Sequence, residues 1–180
     1  GGNEHPKQTV EVTKDNFTTL INDNEGRLRH LCRVYAPRPA DEDDIYQEIL
    51  IAAWQSLPSF SGNASLDTWL YRLAVNTAIS WIRKKETRND YYQAYREDQK
   101  SGSPGNSRVQ RDGNNKHVDE LYKAISSLNA SEKAIITMYL EEFSYAEISY
   151  VTDITENYVG VKLNRIKKKL SNKISDNGTE

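Results

Sequence analysis

Along the first third of the chain apolar residues recur every three or four positions. Phe17, Leu20, Ile21, Leu28, Leu31, Cys32 and Tyr35 form one such series between residues 13 and 36, the stripe that an amphipathic helix buries. Pro37 and Pro39 close it, because proline lacks the amide donor that a helix needs. A second helix is predicted from about Asp41 to Leu57, with Ile45, Ile49, Ala52, Ala53 and Ser56 on one face and Pro58 at its end. Ser59 to Ala64 has the composition of a turn. Ser65 then caps a third helix that carries Leu66, Trp69, Leu70, Leu73, Ala74, Thr77 and Trp81 at helical spacing.

From about Glu86 to His117 the periodicity disappears. The stretches Lys100–Ser107 and Asp112–Asn115 are rich in Gly, Ser and Asn, the chemistry of a linker. Tyr91, Tyr92 and Tyr95 either extend the preceding helix or dock elsewhere. Four shorter helices are predicted after it: Val118 to Ser126, Ser131 to Phe143, Ala146 to Val151, and Glu156 to about Ile174. Ser144 and Glu147 have the spacing of a capping box, and Thr155 caps the last helix. Period-two alternation bounded by turns occurs nowhere. The predicted class is all-α, with two small helical domains joined by a flexible linker. The first (13–90) is a three- or four-helix bundle and the second (118–175) a helix-turn-helix unit; residues 91–117 link them, and 1–12 and 176–180 are tails.

Composition narrows the function. At 37% apolar and a mean hydropathy of −0.79, 180 residues suit two small cores better than one large one. With 24 basic and 26 acidic residues the net charge is −2, which argues against a uniformly basic nucleic-acid coat but leaves room for separate patches. The single cysteine, Cys32, excludes an intrachain disulfide or thiolate cluster. His5, His30 and His117 are scattered, so no metal, cofactor or catalytic set is predicted, and no enzyme. No apolar run is long enough to span a bilayer and the N-terminus lacks a signal-peptide core. A soluble, cytoplasmic chain is expected.

Position resolves the near-zero sum. Asp41, Glu42, Asp43, Asp44 and Glu48 place five acids within eight residues, without a base. Asp44, Gln47 and Glu48 fall on the side away from Ile45 and Ile49, although acids at a helix start also suit the macrodipole. The third helix reverses the sign at Arg83, Lys84, Lys85 and Arg88, downstream of Trp69, Tyr71 and Trp81, with Arg72 and Asn76 one turn apart. Aromatics and bases beside a small loop suit single-stranded DNA. Trp54, Trp69 and Trp81 are nevertheless expected in the core, where large aromatics mostly go. Asn76, an amide among apolar neighbours, is expected to need a partner.

The C-terminal helix pair is separated by Thr152-Asp153-Ile154-Thr155, the spacing of a helix-turn-helix. Ile148, Val151, Ile154, Val159, Leu163, Ile166 and Leu170 face inward, which turns Tyr158, Gly160, Val161, Asn164, Arg165 and Lys168 outward. Between residues 156 and 173 there are six bases (Lys162, Arg165, Lys167, Lys168, Lys169, Lys173) and one acid. Such a patch neutralises phosphates and releases counterions. A lysine run alone usually marks a solvated face. The capping box, the four-residue turn and the second cap together favour DNA. Asp153 occupies the usual turn-glycine position, and aspartate tolerates a left-handed backbone better than most residues.

These residues carry a family resemblance. Asp-Glu-Asp-Asp-Ile-Tyr-Gln-Glu from Asp41, Leu57-Pro-Ser-Phe60, and Thr68-Trp-Leu-Tyr-Arg-Leu-Ala-Val-Asn-Thr-Ala78 to Arg83 resemble region 2 of the extracytoplasmic-function (ECF) sigma factors. Residues 119–172, with Ser144-Tyr-Ala-Glu-Ile148 and Val159 to Leu170, resemble region 4. The resemblance implies a dissociable initiation subunit of bacterial RNA polymerase. By it, Asp43, Asp44, Gln47 and Glu48 would bind the clamp helices of the largest core subunit. The loop Ser61, Gly62, Asn63, Ala64 and Ser65 would hold a base flipped from the non-template strand of the minus-ten element. Asn76 would line that strand's path with Trp69 and Arg72, and Arg83, Lys84 and Arg88 would hold phosphates. Tyr158, Gly160, Val161, Asn164, Arg165, Lys167 and Lys168 would face the minus-thirty-five element, and the linker would run toward the active site and RNA exit path.

Family members commonly carry arginine and serine where Gly160 and Val161 stand, and arginine at Lys162. That leaves Asn164 and Arg165 as the best base readers, for adenine and guanine by geometry. An anti-sigma factor is a common partner in the family. The alternative is a two-domain helix-turn-helix regulator that acts without polymerase core.

Overall fold

A computed structural model describes residues 14–96 and 116–176, which form seven α-helices and no strand. Helix α1 spans Lys14–Tyr35, α2 Asp41–Ser56 and α3 Leu66–Arg96. They pack through Leu28, Leu31, Ile45, Ile49, Leu70 and Ala74, all fully buried. The prolines act as expected: α1 stops before Pro37, and Pro58 turns the end of α2 into a 3-10 turn over Leu57–Ser59. Ala40 gives α2 no side-chain cap. Its start is anchored instead by Asp41, buried and bonded to Arg38 at 3.2 Å and to Lys85 of α3 at 2.5 Å. Ser65 caps α3, its Oγ accepting the Thr68 amide at 3.2 Å.

α3 is 31 residues long and carries Tyr91, Tyr92 and Tyr95 within it. From Arg83 to Asp90 every residue except Lys85 is exposed, so this part of the helix leaves no apolar stripe in the sequence. The linker stretches 100–107 and 112–115 and the tails 1–12 and 177–180 lie outside the described residues.

The second unit comprises α4 (Lys116–Ser126), α5 (Ala130–Leu140), α6 (Tyr145–Thr152) and α7 (Glu156–Asp176). Asn129 caps α5 by accepting the Glu132 amide at 2.9 Å. α5 ends at Leu140 rather than Phe143, because Glu142 takes a left-handed conformation (φ 62°) and the Phe143 amide turns back to the Met138 carbonyl at 3.1 Å. At α6 the capping box is complete in both directions. Ile148, Val151, Val159, Leu163, Ile166 and Leu170 are buried, with Ile154 packed against them.

The two units are packed together, α1 against α4 and α5 and α3 against α6, so their buried side chains run into one cluster. At the seam Tyr71 of α3 meets Phe143 with ring centres 4.9 Å apart. The Tyr35 hydroxyl donates to the Ala130 carbonyl at 2.5 Å. No helix among the described residues is long and apolar enough to cross a membrane.

Candidate nucleic-acid interface

α2 and α3 diverge around a groove of about 1020 Å³. Asp44, Gln47 and Glu48 line it from α2, and Trp69, Arg72, Asn76, Trp81, Lys84 and Arg88 from α3. The helical stripe forces this division: burying Ile45 and Ile49 turns Asp43, Asp44, Gln47 and Glu48 outward, and all four are exposed. Asp43 lies outside the groove lining and receives Arg29 at 2.9 Å. Asp41 is the acid that turns inward. Burial pushes its carboxyl up, but hydrogen bonds and charge from Arg38 and Lys85 outweigh that and hold it below the usual range. Its task is to tie α2 to α3.

The tryptophans do not enter the core. Trp54 is 47% exposed, edge-on to Phe17 at 5.2 Å. Trp69 packs edge-on to Phe60 at 5.7 Å and Trp81 lies under the Lys85 ammonium at 5.1 Å, both half-buried. The core of this unit is filled by aliphatic side chains with Tyr35, Tyr46 and Tyr71, and the indoles flank it. Asn76 is exposed, so water can satisfy its amide and the expected need for a protein partner disappears.

The groove does not take in every candidate. Ser61, Gly62, Asn63 and Ser65 stand exposed in the loop before α3, with Ala64 half-buried, and neither this loop nor Arg83 lines the groove. Gly62 sits at φ +77°, where a side chain would be strained. Arg38, Lys85 and Tyr150 of α6 line the groove as well. Tyr150 left no signal in the sequence, because its place there follows from the packing of the two units.

In the helix-turn-helix, Asp153 adopts the left-handed turn conformation (φ 57°, ψ 31°). On α7, Tyr158, Val161, Asn164, Arg165, Lys167 and Lys168 are exposed. Gly160 is half-buried, with the Tyr145 ring 3.5 Å from where a Cβ would stand. The bases divide by role. Lys169 pairs with Glu132 at 2.7 Å, Lys173 bonds Ser127, and Lys167 lies over the Tyr139 ring at 4.2 Å. These three hold α7 to α5 and to the turn after α4, while Arg165 and Lys168 extend from the outer face beside Asn164.

An acidic face on α2, a basic wall of the groove on α3 and a helix-turn-helix follow one another along the chain. Residues 20–88 match the family model for sigma-70 region 2, and residues 119–170 that for sigma-70 region 4. The ECF RNA polymerase sigma-E factor of Haemophilus influenzae is 30% identical over 168 residues, 89% of this chain and 88% of that protein. The ECF RNA polymerase sigma factor SigW of Bacillus subtilis is 26% identical over 179 residues, 94% and 95% of the two chains. The chain belongs to the ECF sigma factors, and its function is that of a sigma factor in promoter recognition by RNA polymerase.

The fold is likewise that of solved relatives. The sigma factor RpoE of Bartonella quintana, in complex with the anti-sigma factor NepR, superposes with a TM-score of 0.71 at 18% identity, covering 89% of this chain and 98% of that one. CnrH, in complex with the cytosolic domain of CnrY, gives 0.63 at 18% identity, covering 91% and 90%.

Proposed function

We propose that this chain docks on core RNA polymerase through Asp44, Gln47 and Glu48, with Asp43 beside them. It then captures the melted minus-ten strand along α3 and places α7 on the minus-thirty-five element. The observation that carries the reading is the groove itself. One wall presents acids for a basic protein surface; the other presents Arg72, Asn76, Lys84 and Arg88 together with Trp69 and Trp81, the phosphate partners and π surfaces that an unstacked strand needs. Ser61 to Ser65, exposed before α3 except for the half-buried Ala64, is the segment that receives a flipped base. Arg83 adds a phosphate contact on the same helix. On α7, Asn164 and Arg165 read bases, Tyr158, Gly160 and Val161 shape the contact face, and Lys168 holds a phosphate.

The chain works by binding and not as an enzyme: unpairing a base costs a few kcal/mol, which strand contacts must offset, while the core polymerase supplies the chemistry. It acts in the cytoplasm, where core and promoter are. The solved complexes of RpoE with NepR and of CnrH with CnrY support an anti-sigma factor as a further partner. A regulator acting without core is not favoured by the family matches.

Asn76→Ala tests the strand path. Asn76 is exposed, so the variant keeps its fold, and permanganate reactivity of the melted promoter should fall about tenfold while duplex gel shifts stay unchanged. Equal losses in the two assays would remove Asn76 from the strand path.

A further inference from the structure

α7 buries Val159, Leu163, Ile166 and Leu170, and a helix that buries one side fixes what stands opposite. Opposite them, three and four residues apart, are Asn157, Val161, Asn164 and Lys168, with Arg165 beside the stripe, all exposed. Among the described residues, no hydrogen bond or ion pair engages the side chains of Asn157, Asn164, Arg165 or Lys168. Lys167, Lys169 and Lys173 are by contrast tied back to their own unit. The stripe is therefore the part of α7 that the fold leaves unused.

Val161 is the odd member of that stripe. It is 45% exposed, with an amide side chain one turn to each side and cations beyond. Gly160 precedes it, so two successive positions in the second turn of α7 bring no side-chain donor or acceptor. A single exposed apolar residue is ordinary on a protein surface; the place of this one gives it a meaning. In a helix-turn-helix the first turns of the second helix enter the major groove and meet the base edges. Those edges carry donors and acceptors and one apolar substituent, the C5 methyl of thymine. Valine set against a donor or acceptor would strip its water and give no hydrogen bond in exchange, which weakens binding. Set against the methyl, it takes two apolar surfaces out of water.

We infer that Val161 determines specificity by reading the methyl group of a thymine, and that Asn157 and Asn164 read adenines on either side of it, so that α7 selects a short run of A·T pairs. Asparagine meets adenine through N6 and N7. From Asn157 to Asn164 the helix rises about 10 Å, close to three base-pair steps of about 3.4 Å. Arg165 and Lys168 bring positive charge to the same face, which suits an occupant that carries phosphates. The inference rests on the proposal above that α7 faces the minus-thirty-five element, and deepens it by naming the bases.

The test uses holoenzyme assembled from core polymerase and the full chain. Selection from a promoter library randomised upstream of the start should return an upstream element with consecutive A·T pairs. In synthetic duplexes of that element each thymine is then replaced in turn by deoxyuridine, which lacks only the methyl group and keeps every hydrogen bond. Competition read by fluorescence anisotropy should show one replacement that weakens wild-type binding about fourfold, the contribution of one buried methyl group. Val161→Ala, at an exposed helical position where alanine is well tolerated, should bind the thymine duplex about fourfold or more weakly and be indifferent to that same replacement. Deoxyuridine in the flanking sequence should leave both proteins unchanged.

Equal wild-type affinity for all the thymine and deoxyuridine duplexes overturns the inference. So does a deoxyuridine loss that Val161→Ala shows in full, because the methyl then touches another residue. Repeating the selection with Asn157→Ala should relax an adenine preference within the run; retention of every preference removes Asn157 from the reading stripe. A library that returns no upstream element takes down the promoter reading and this inference with it. An upstream element without thymine, or without a methyl effect, takes down the inference alone.

Discussion

Single residues took their roles from direction more than from type. Five acids cluster at the start of α2, yet Asp41 alone turns inward, to Arg38 and Lys85. Because its folded pKa lies below the ordinary carboxylate value, its stabilisation is present above pH 4, the unfolded value, and is lost as the pH falls through the folded one. Asp41→Asn should therefore cost about 1–2 kcal/mol at pH 7, measured by urea denaturation. The gap to wild type should close below about pH 4; a gap that persists at pH 2 would show that the ion pairs are not its source. Cys32 is a contrasting case: burial pushes its thiol up to about 12, so it is a packing residue and not a reactive one.

At the level of elements, what was legible depended on whether a helix end is marked by a side chain. Ser144 and Glu147 are three apart and close the capping box, at 3.1 Å and 2.7 Å, so the start of α6 could be read directly. The end of α5 could not, because it is set by the left-handed backbone of Glu142, a residue type that does not advertise that conformation. The stretch of α3 from Arg83 to Asp90 was hidden for another reason: it is solvated nearly all round and has no stripe to detect. Ser144→Ala should cost about 1 kcal/mol, seen as a lower urea midpoint. No shift would mean that the packing of Ile148 and Val151 alone sets the start of α6.

The whole molecule was the least legible. Both units, the outward acids of α2 and the outer face of α7 follow from apolar periodicity, since burying one side of a helix fixes the other. The seam does not, because Arg27, His30 and Arg33 lie on the polar side of α1 and look like solvated residues until α4 and α5 arrive. The indoles were misplaced for a related cause, as size alone does not say whether an aromatic fills a core or flanks a groove. What the packed molecule presents outward is an acidic face on α2 and a basic face on α7. Under the proposed function a polymerase is what joins the two. Run-off transcription with purified core and a promoter library tests this most directly. Wild type should produce discrete transcripts that core alone does not, and Asp44→Arg should abolish them and co-purification with core while its circular dichroism stays unchanged. Transcripts from Asp44→Arg equal to wild type, or none from wild type above core alone, would contradict the account.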